Sequence, residues 1–379
     1  MIDFSLSGKQ LEVRNKFRRF SDEYIIPVRL KHDREGTSPH EIISRAWDEG
    51  ILNGPLPAEY GGNGYSFIES ALGSEELGAG CTGMGIIIDT HTLAFLPILL
   101  AGSEAQKSLF LKNITERRLL GAFCLTEPDA GSDIGGIKTT AVKRGNSYII
   151  NGHKRFITNG ETAGFHLVFA STSPEMGNKG MSAFYVPTES PGVSIKSRMD
   201  KMGQRAAVQN EIIYSGVEVP SDNLIGAEGM GFSIAMDTFN HTRVSIAALA
   251  LGNARAAWEY SSSWARNRIQ FGKPITTHQG ISFKLAEMRT EIEASRMLIW
   301  NAASAVDRGA DNQAMLSSMA KYYATDKGMR ITEEAVQVMG GEGYSKEHPV
   351  EKMMRDAKLC QIYEGTNEIQ KIIISKNMF

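Results

Sequence analysis

Apolar residues along the chain change their spacing twice, and the two changes divide it into three parts. From residue 5 to about 118, Leu11, Val13, Phe17, Phe20 and Tyr24 recur at near-helical intervals, and Ile68 to Leu77 and Leu93 to Leu100 carry further apolar faces, so this part reads as α-helix. From about 121 to 225 the pattern is one of short β-branched and aromatic runs, Tyr148-Ile-Ile, Leu167-Val-Phe, Ala183-Phe-Tyr-Val and Glu211-Ile-Ile-Tyr, mostly flanked by Gly, Asn, Ser or Pro. That texture predicts strands of a small barrel or sandwich, with residues 173 to 180 as a flexible hairpin loop. Beyond Gly231 helical spacing returns through Ile281, Leu285, Met288, Ile292 and Leu298. The Ala- and Gly-rich stretch Val244 to Ala257 suits close helix approach inside a bundle. The chain is therefore read as α+β, with an α-helical domain over 1–120, a β domain over 121–230 and a helical bundle over 231–379.

Composition narrows the function classes without naming one. A net charge of -2 gives no reason to expect nucleic acid or an anionic membrane as a partner. Three widely spaced cysteines, Cys81, Cys124 and Cys360, fit buried reduced thiols better than a disulfide framework or a metal site. The opening residues carry neither a basic nor an apolar leader segment, and no apolar run reads as long enough to span a bilayer. The expected location is the cytoplasm, or the mitochondrial matrix if a transit peptide has been removed.

Some motifs fail on context. Gly78-Ala-Gly-Cys-Thr-Gly83 matches a dinucleotide-binding pattern, but it follows a helical stretch and no βαβ unit surrounds it, so it is read as a loop. Walker A, paired Cys-x-x-Cys and His-Glu-x-x-His motifs are missing and the histidines are scattered, which leaves no metal site to propose.

Others hold. Leu125-Thr-Glu-Pro-Asp-Ala-Gly-Ser-Asp133 offers backbone N–H groups and hydroxyls at the start of the β region, where they could hold a polar heterocycle or phosphate, although a plain turn uses the same residues. Lys154-Arg-Phe-Ile-Thr-Asn-Gly160 ends an aromatic run in a turn. Arg268-Ile-Gln-Phe-Gly-Lys-Pro-Ile275, with Gln279 beyond it, joins a cation to amides and an aromatic ring, and Gln337-Val-Met-Gly-Gly-Glu-Gly343 again leaves backbone open. Finally, His348 to Gln370 sets one carboxylate, Glu364, between Ile362-Tyr363 and Gly365. The apolar-aromatic pair would exclude water, Gly365 would admit a ligand to the backbone and Thr366 would open a helix, which suits a catalytic base. The other reading is a carboxylate facing the dipole of that helix.

These five elements, in this order and over nearly the whole chain, resemble the acyl-CoA dehydrogenase family, most of all its short- and medium-chain members. The resemblance implies an N-terminal α-helical domain, a central β-barrel or sandwich and a C-terminal four-helix bundle. It also implies FAD between the β domain and the bundle, clasped in part by a neighbouring subunit of a homotetramer. By motif match, Phe123, Leu125, Thr126 and Ser132 would line the flavin or the thioester, and Phe156 and Thr158 would meet the isoalloxazine. Arg268, Gln270, Phe271, Gln279, Gln337 and Gly341 would hold the adenine and pyrophosphate end, largely across a subunit boundary; Thr366 and Glu368 would complete the site. Phe156 stands where tryptophan is common in the family, and Glu368 where glutamine is common.

For substrate, the resemblance assigns Ser132, Asp89, Arg243, Tyr363 and Gly365 to an acyl-CoA thioester. Arg243 would anchor the CoA moiety; a surface ion pair is its other reading. Some branched- and long-chain relatives place the base at the position of Thr242, so threonine there leaves Glu364 as the base the motifs supply. Glu364 would take the α-proton while hydride leaves the β-carbon for flavin N5, yielding a 2,3-enoyl-CoA, with electrons passing to an electron-transferring flavoprotein. Asp89 is either a helix cap or a pocket acid, the latter able to serve as a second base for an alicyclic acyl group of the cyclohexane or cyclohexene carboxyl type. No Arg or Lys occurs from Gly80 to Ala101, so a glutaryl-type dicarboxylic substrate lacks a partner there. An enoyl-CoA reductase, an oxidase and a binding or assembly protein that keeps the fold without the reaction are the competing readings.

Overall fold

The structure, a computed structural model, describes residues 5–378; part of the opening segment on which the absence of a leader was read lies outside them. Six helices open the chain: α1 Gly8–Phe20, α2 Arg29–Glu35, α3 His40–Asp48, α4 Phe67–Ala101, α5 Glu104–Gln106 and α6 Lys112–Glu116. Ser7 and Gln10 form a capping box on α1, whose buried face is Val13, Phe17 and Phe20. Leu11, which the spacing places on that face, is instead exposed.

α4 explains the failed dinucleotide motif. The helix breaks at Cys81, which is extended (φ -166°, ψ 115°), and the chain reverses there. Ser74 Oγ donates to Asp89 Oδ1 at 3.0 Å, whereas 15 residues of straight helix would span roughly 22 Å. Arg29 caps the carbonyls freed by the break, with Nη1 3.4 Å from Ala79 O and 3.0 Å from Gly80 O. The glycines thus form a tight reversal between two packed helices, not an extended loop. Against the reading of the sequence, Phe67–Ala101 is long and apolar enough for a membrane span, but 72% of an apolar 18-residue stretch within it is buried inside the protein. The reversal also halves its reach.

Eight strands follow: β1 Gly121–Cys124, β2 Thr140–Arg144, β3 Ser147–Thr158, β4 Phe165–Ser171, β5 Met181–Pro187, β6 Val193–Arg198, β7 Gln209–Pro220 and β8 Leu224–Ile225. They form one sheet in the order β6-β7-β3-β2-β4-β5-β8, with β1 parallel to β4. β4 alternates between two cores. Phe165, Leu167 and Phe169 pack with Phe95 of α4, while Val168 and Ala170 pack with Tyr148, Ile212 and Tyr214 inside the curled sheet. That double burial is why β4 reads as a continuous apolar run. Between β4 and β5, Pro174–Gly180 forms the hairpin connection as a short 3-10 segment.

The last part holds α7 Gly231–Asn267, the small hairpin β9 Ile269–Gln270 and β10 Lys273–Pro274, then α8 Gln279–Asp307, α9 Gln313–Met339, α10 Val350–Cys360 and α11 Asn367–Lys376. The small residues of α7 serve a contact outside the bundle as well as within it. A Cβ on Gly252 would stand 1.9 Å from Glu75 O, and one on Gly78 would stand 2.1 Å from Leu249 O, so α4 and α7 meet backbone to backbone. Buried charges lock this seam: Arg255 Nε lies 3.0 Å from Glu75 Oε1 and its Nη2 2.6 Å from Glu76 Oε2. All three cysteines are free and buried.

Candidate functional site

Glu364 stands in the turn between α10 and α11, and both Glu364 (φ 50°) and Gly365 (φ 87°) are left-handed. A left-handed residue other than glycine costs about 1–2 kcal/mol, so the turn must be held from outside. Two side chains do so. Gln370 Nε2 donates to Glu364 O (3.1 Å) and Gly365 O (2.9 Å), and Lys321 Nζ donates to Gly365 O (2.8 Å). Thr366 caps α11, its Oγ1 accepting from Ile369 N at 3.3 Å. Glu364 is therefore not the residue that caps this helix; its Oε2 accepts from Thr242 Oγ1 of α7 at 2.9 Å. Burial pushes the Glu364 carboxyl up to about 7, opposed by the Thr242 hydrogen bond and by the positive charges of Arg243 and Lys321. Tyr363 shares in the enclosure, its hydroxyl 3.3 Å from both Cys360 Sγ and Gln204 Nε2. Ile362, expected to shield the base, is 48% exposed in the single chain.

Asp89 approaches from α4. It lies within the second half of the broken helix, so it is not a helix cap. Its Oδ1 accepts from Ser74, its Oδ2 is buried without a partner among the described residues, and burial, with the Glu364 charge adding, pushes the carboxyl up to about 7. Arg243 is 2% exposed, which rules out the surface ion pair. Its Nη1 donates to Asn240 Oδ1 at 2.8 Å, its Nε is buried with no partner among the described residues, and burial pushes the guanidinium down to about 10, with the Glu364 charge opposing. Two carboxyls that hold protons near neutrality and one under-satisfied cation thus share one enclosed place.

On the β side, Phe123 packs against Phe169 (4.8 Å) and Phe239 (5.6 Å), and Leu125 is buried with its carbonyl accepting from Lys154 Nζ at 2.9 Å, so these two side chains belong to the core. The loop beyond them is braced from inside by buried Glu127, which accepts from Lys138 N (2.6 Å), Thr139 N (3.0 Å) and Lys154 Nζ (2.8 Å). Thr126 is half-buried and Ser132 exposed at its surface. Phe156 is left-handed (φ 60°) and 51% exposed, an unusual position for an aromatic ring without a ligand. Thr158 is buried and accepts from Gln209 Nε2 at 3.1 Å. The segment from Gln204 to Gln209 thus spans from Tyr363 to Thr158, and Gln204 N donates to Asp356 of α10. Sequence reading missed Gln204, Gln370 and Lys321, because their contacts join segments whose spacing carries no periodic signal.

Arg268, Gln270, Phe271, Gln279, Gln337 and Gly341 do not meet Glu364 within one chain. Arg268 lies roughly 38 Å along α7 from Arg243 at about 1.5 Å per residue. The six gather instead at the far end of the bundle, where Ala265, Ile275 and Val338 form a small core of their own. All six are exposed, Phe271 to 93%, and a Cβ on Gly341 would meet nothing within 4 Å. These donor sets fit FAD. The hydroxyls of Thr126, Ser132 and Thr158 and the exposed ring of Phe156 suit the edge and face of the isoalloxazine, and a cation, amides and open glycine backbone suit the adenine and diphosphate. Glu368 is exposed just inside α11, next to the cap Thr366.

Three domain models of one family match the chain: acyl-CoA dehydrogenase N-terminal domain over residues 7–118, middle domain over 122–217 and C-terminal domain over 229–379. The chain is 42% identical over 372 residues to an acyl-CoA dehydrogenase of Bacillus subtilis, covering 98% of each. It is 41% identical to a cyclohex-1-ene-1-carbonyl-CoA dehydrogenase of Geobacter metallireducens, again with 98% of each covered. The solved structure of butyryl-CoA dehydrogenase from Megasphaera elsdenii superposes with a TM-score of 0.97 at 40% identity over 100% of both chains. This chain belongs to the acyl-CoA dehydrogenase family, FAD-dependent oxidoreductases that act on acyl-CoA.

Proposed function

We propose that this enzyme removes one α- and one β-hydrogen from a saturated acyl-CoA to give the 2,3-enoyl-CoA, with Glu364 as the base. The observation that carries this is the Glu364 carboxyl itself, held in a left-handed turn, bonded at Oε2 by Thr242 and raised to about 7 by burial. A base with that proton affinity is matched to work near neutral pH. Its Oε1 is the oxygen left to take the α-proton. Loss of that proton puts negative charge on the thioester carbonyl oxygen, which needs a fixed donor. The Glu364 N–H, which has no protein acceptor among the described residues, supplies one. The nearby Arg243 charge favours the anionic form of the base between turnovers.

Phe123, Leu125, Thr126, Ser132, Phe156, Thr158, Thr366 and Glu368 would hold FAD on this side, and Arg268, Gln270, Phe271, Gln279, Gln337 and Gly341 of a second copy would hold its far end. When bound, FAD supplies the acceptor for the hydride that leaves the β-carbon. The exposed distal surface supports a homotetramer, and the family resemblance supports an electron-transferring flavoprotein as acceptor. Bacterial relatives support a cytoplasmic setting. The domain division 1–120, 121–230 and 231–379 is proposed with them.

Anaerobic mixing of the flavin-loaded enzyme with a panel of acyl-CoAs should bleach the flavin for a subset of them. No bleaching by any saturated thioester, with activity only on enoyl-CoAs and an external reductant, would overturn the assignment of direction and reaction.

A second reading concerns the substrate. The unpartnered Asp89 Oδ2, coupled to Glu364, and the likeness to a cyclohexene-carbonyl-CoA dehydrogenase favour an alicyclic acyl group with Asp89 as a second proton acceptor. Asp89→Asn should then abolish bleaching by alicyclic thioesters and spare straight chains. Equal activity of the variant on both classes would exclude it.

A further inference from the structure

Lys321 lies on α9 with a relative exposure of 0%, yet among the described residues its hydrogen-bond acceptors are a carbonyl and an amide oxygen and no carboxylate forms an ion pair with it. Its neighbours on that face are Ser317, Ser318, Ala324 and Thr325, all buried, where a methionine of similar length would fill the space without the cost of enclosing an ammonium. The ammonium spends its donors on the turn that carries the base: 2.8 Å to Gly365 O and 3.0 Å to Asn367 Oδ1. Asn367 is fixed in turn, with Nδ2 2.9 Å from Thr325 Oγ1 and 2.6 Å from Asp326 Oδ1, and Gln361 Nε2 reaches the same Asp326 oxygen at 2.7 Å. The segment from Gln361 to Asn367 is therefore strapped to one face of α9 at both ends, with Lys321 under its two left-handed residues.

We propose that Lys321 is a positioning residue for the base: by holding the Gly365 carbonyl it fixes the left-handed turn and hence the place of the Glu364 carboxylate and main-chain N–H. The inference rests on Glu364 being the base. Its charge acts alongside its hydrogen bonds. The groups that act on Glu364 are Thr242 and Arg243 from α7, Asp89 from α4, Lys321 from α9 and Tyr363 beside it in the turn, while Cys360 of α10 and Asp326 of α9 act on Lys321. Among them Lys321 and Arg243 are the cations that favour the carboxylate. Removing Lys321 should therefore both loosen the turn and raise the proton affinity of Glu364.

The test compares Lys321→Met, Lys321→Gln and Gln370→Leu in the flavin-loaded enzyme. kcat, KM and the acid limb of kcat/KM are measured, together with exchange in D2O of the α-hydrogen of an acyl-CoA whose β-carbon is replaced by sulfur. That exchange takes a proton from the α-carbon and returns a deuteron, with no redox step. Lys321→Met should lower kcat and exchange about 10- to 100-fold, the scale of a misplaced catalytic group, and move the acid limb to higher pH. Lys321→Gln, which donates without charge, should recover most of kcat while keeping the shifted limb. Gln370→Leu frees the Gly365 carbonyl that Lys321 also holds, and the Glu364 carbonyl, without touching a charge, so it should lower kcat and exchange and leave the limb in place. Wild-type kcat, limb and exchange in Lys321→Met, or in Gln370→Leu and Lys321→Gln if the methionine variant does not fold, overturn the proposal. Glu364→Gln is run beside them: persistence of exchange there would refute the base assignment itself, a separate outcome.

Discussion

Thr242 donates the one hydrogen bond that the Glu364 carboxyl group receives among the described residues, and its removal can be worked through from the geometry. In Thr242→Val the shape of the buried side chain is kept and the 2.9 Å hydrogen bond to Oε2 is lost. The alternative acceptor of that hydroxyl, Thr238 O at 3.2 Å, is a helix carbonyl. A hydrogen bond to a charged group contributes about 1.5–3 kcal/mol, and about 1.4 kcal/mol equals one pK unit, so the Glu364 carboxyl should rise by about one to two units. The sign follows from the anion being the form that accepts the bond. Starting from about 7, the acid limb of kcat/KM should move to about 8–9. At pH 7 the fraction of enzyme with an ionised base then falls about 5- to 50-fold, while at pH 10 the variant approaches the wild type. Steady-state rates from pH 6 to 10 with a saturated acyl-CoA, read through a dye acceptor, measure this directly. An acid limb unmoved by the substitution, at undiminished flavin content, would show that Thr242 does not set the proton affinity of the base.

Gly252→Ala places a Cβ 1.9 Å from Glu75 O, so α4 and α7 must separate; a loss of about 3 kcal/mol or more is expected as a lower melting temperature, and an unchanged one would mean the seam is looser than described. Phe271→Asp alters a ring that is 93% exposed, so the helical content of the chain should stay while flavin retention and assembly fall; an intact FAD-loaded tetramer would remove the distal surface from the cofactor site. Glu364 has a folded-state value of about 7 against an ordinary 4.5, so its contribution to stability is fully present below pH 4.5 and lost as pH rises through 7. Glu364→Gln should accordingly be more stable than the wild type by about 1 to 3 kcal/mol at pH 8.5, with the gap closing on acidification, and a constant gap across that range would contradict the burial of the charge.

The parts of the molecule legible from sequence are those in which neighbouring residues carry the information. Met288 and Ile292 lie on the buried face of α8 that their spacing predicts, and Thr366 caps α11 three residues before the N–H it accepts. The alternation in β4 failed to show only because both faces of that strand are buried. What stayed hidden depends on contacts across long stretches of chain. Gly78 and Gly252 are needed because two helices about 170 residues apart touch through their backbones, which no local pattern announces. Arg243 was open to two readings, a CoA anchor and a surface ion pair, because its enclosure by the distant Glu364 turn beside Phe239 leaves no local signal. Asp89 looked like a cap because the reversal at Cys81, which brings Ser74 to it, is invisible in a continuous helical pattern. Lys321 had no motif at all, and its role comes from a turn that lies 44 residues further on.

The most direct test of Glu364 as the base is the rate of flavin bleaching in a single turnover, comparing Glu364→Gln with the wild type on the best saturated acyl-CoA at pH 8. The account predicts a variant that folds, keeps its FAD and binds the thioester, with bleaching slowed by at least about 10²- to 10⁴-fold. Bleaching within a few-fold of the wild-type rate would contradict it.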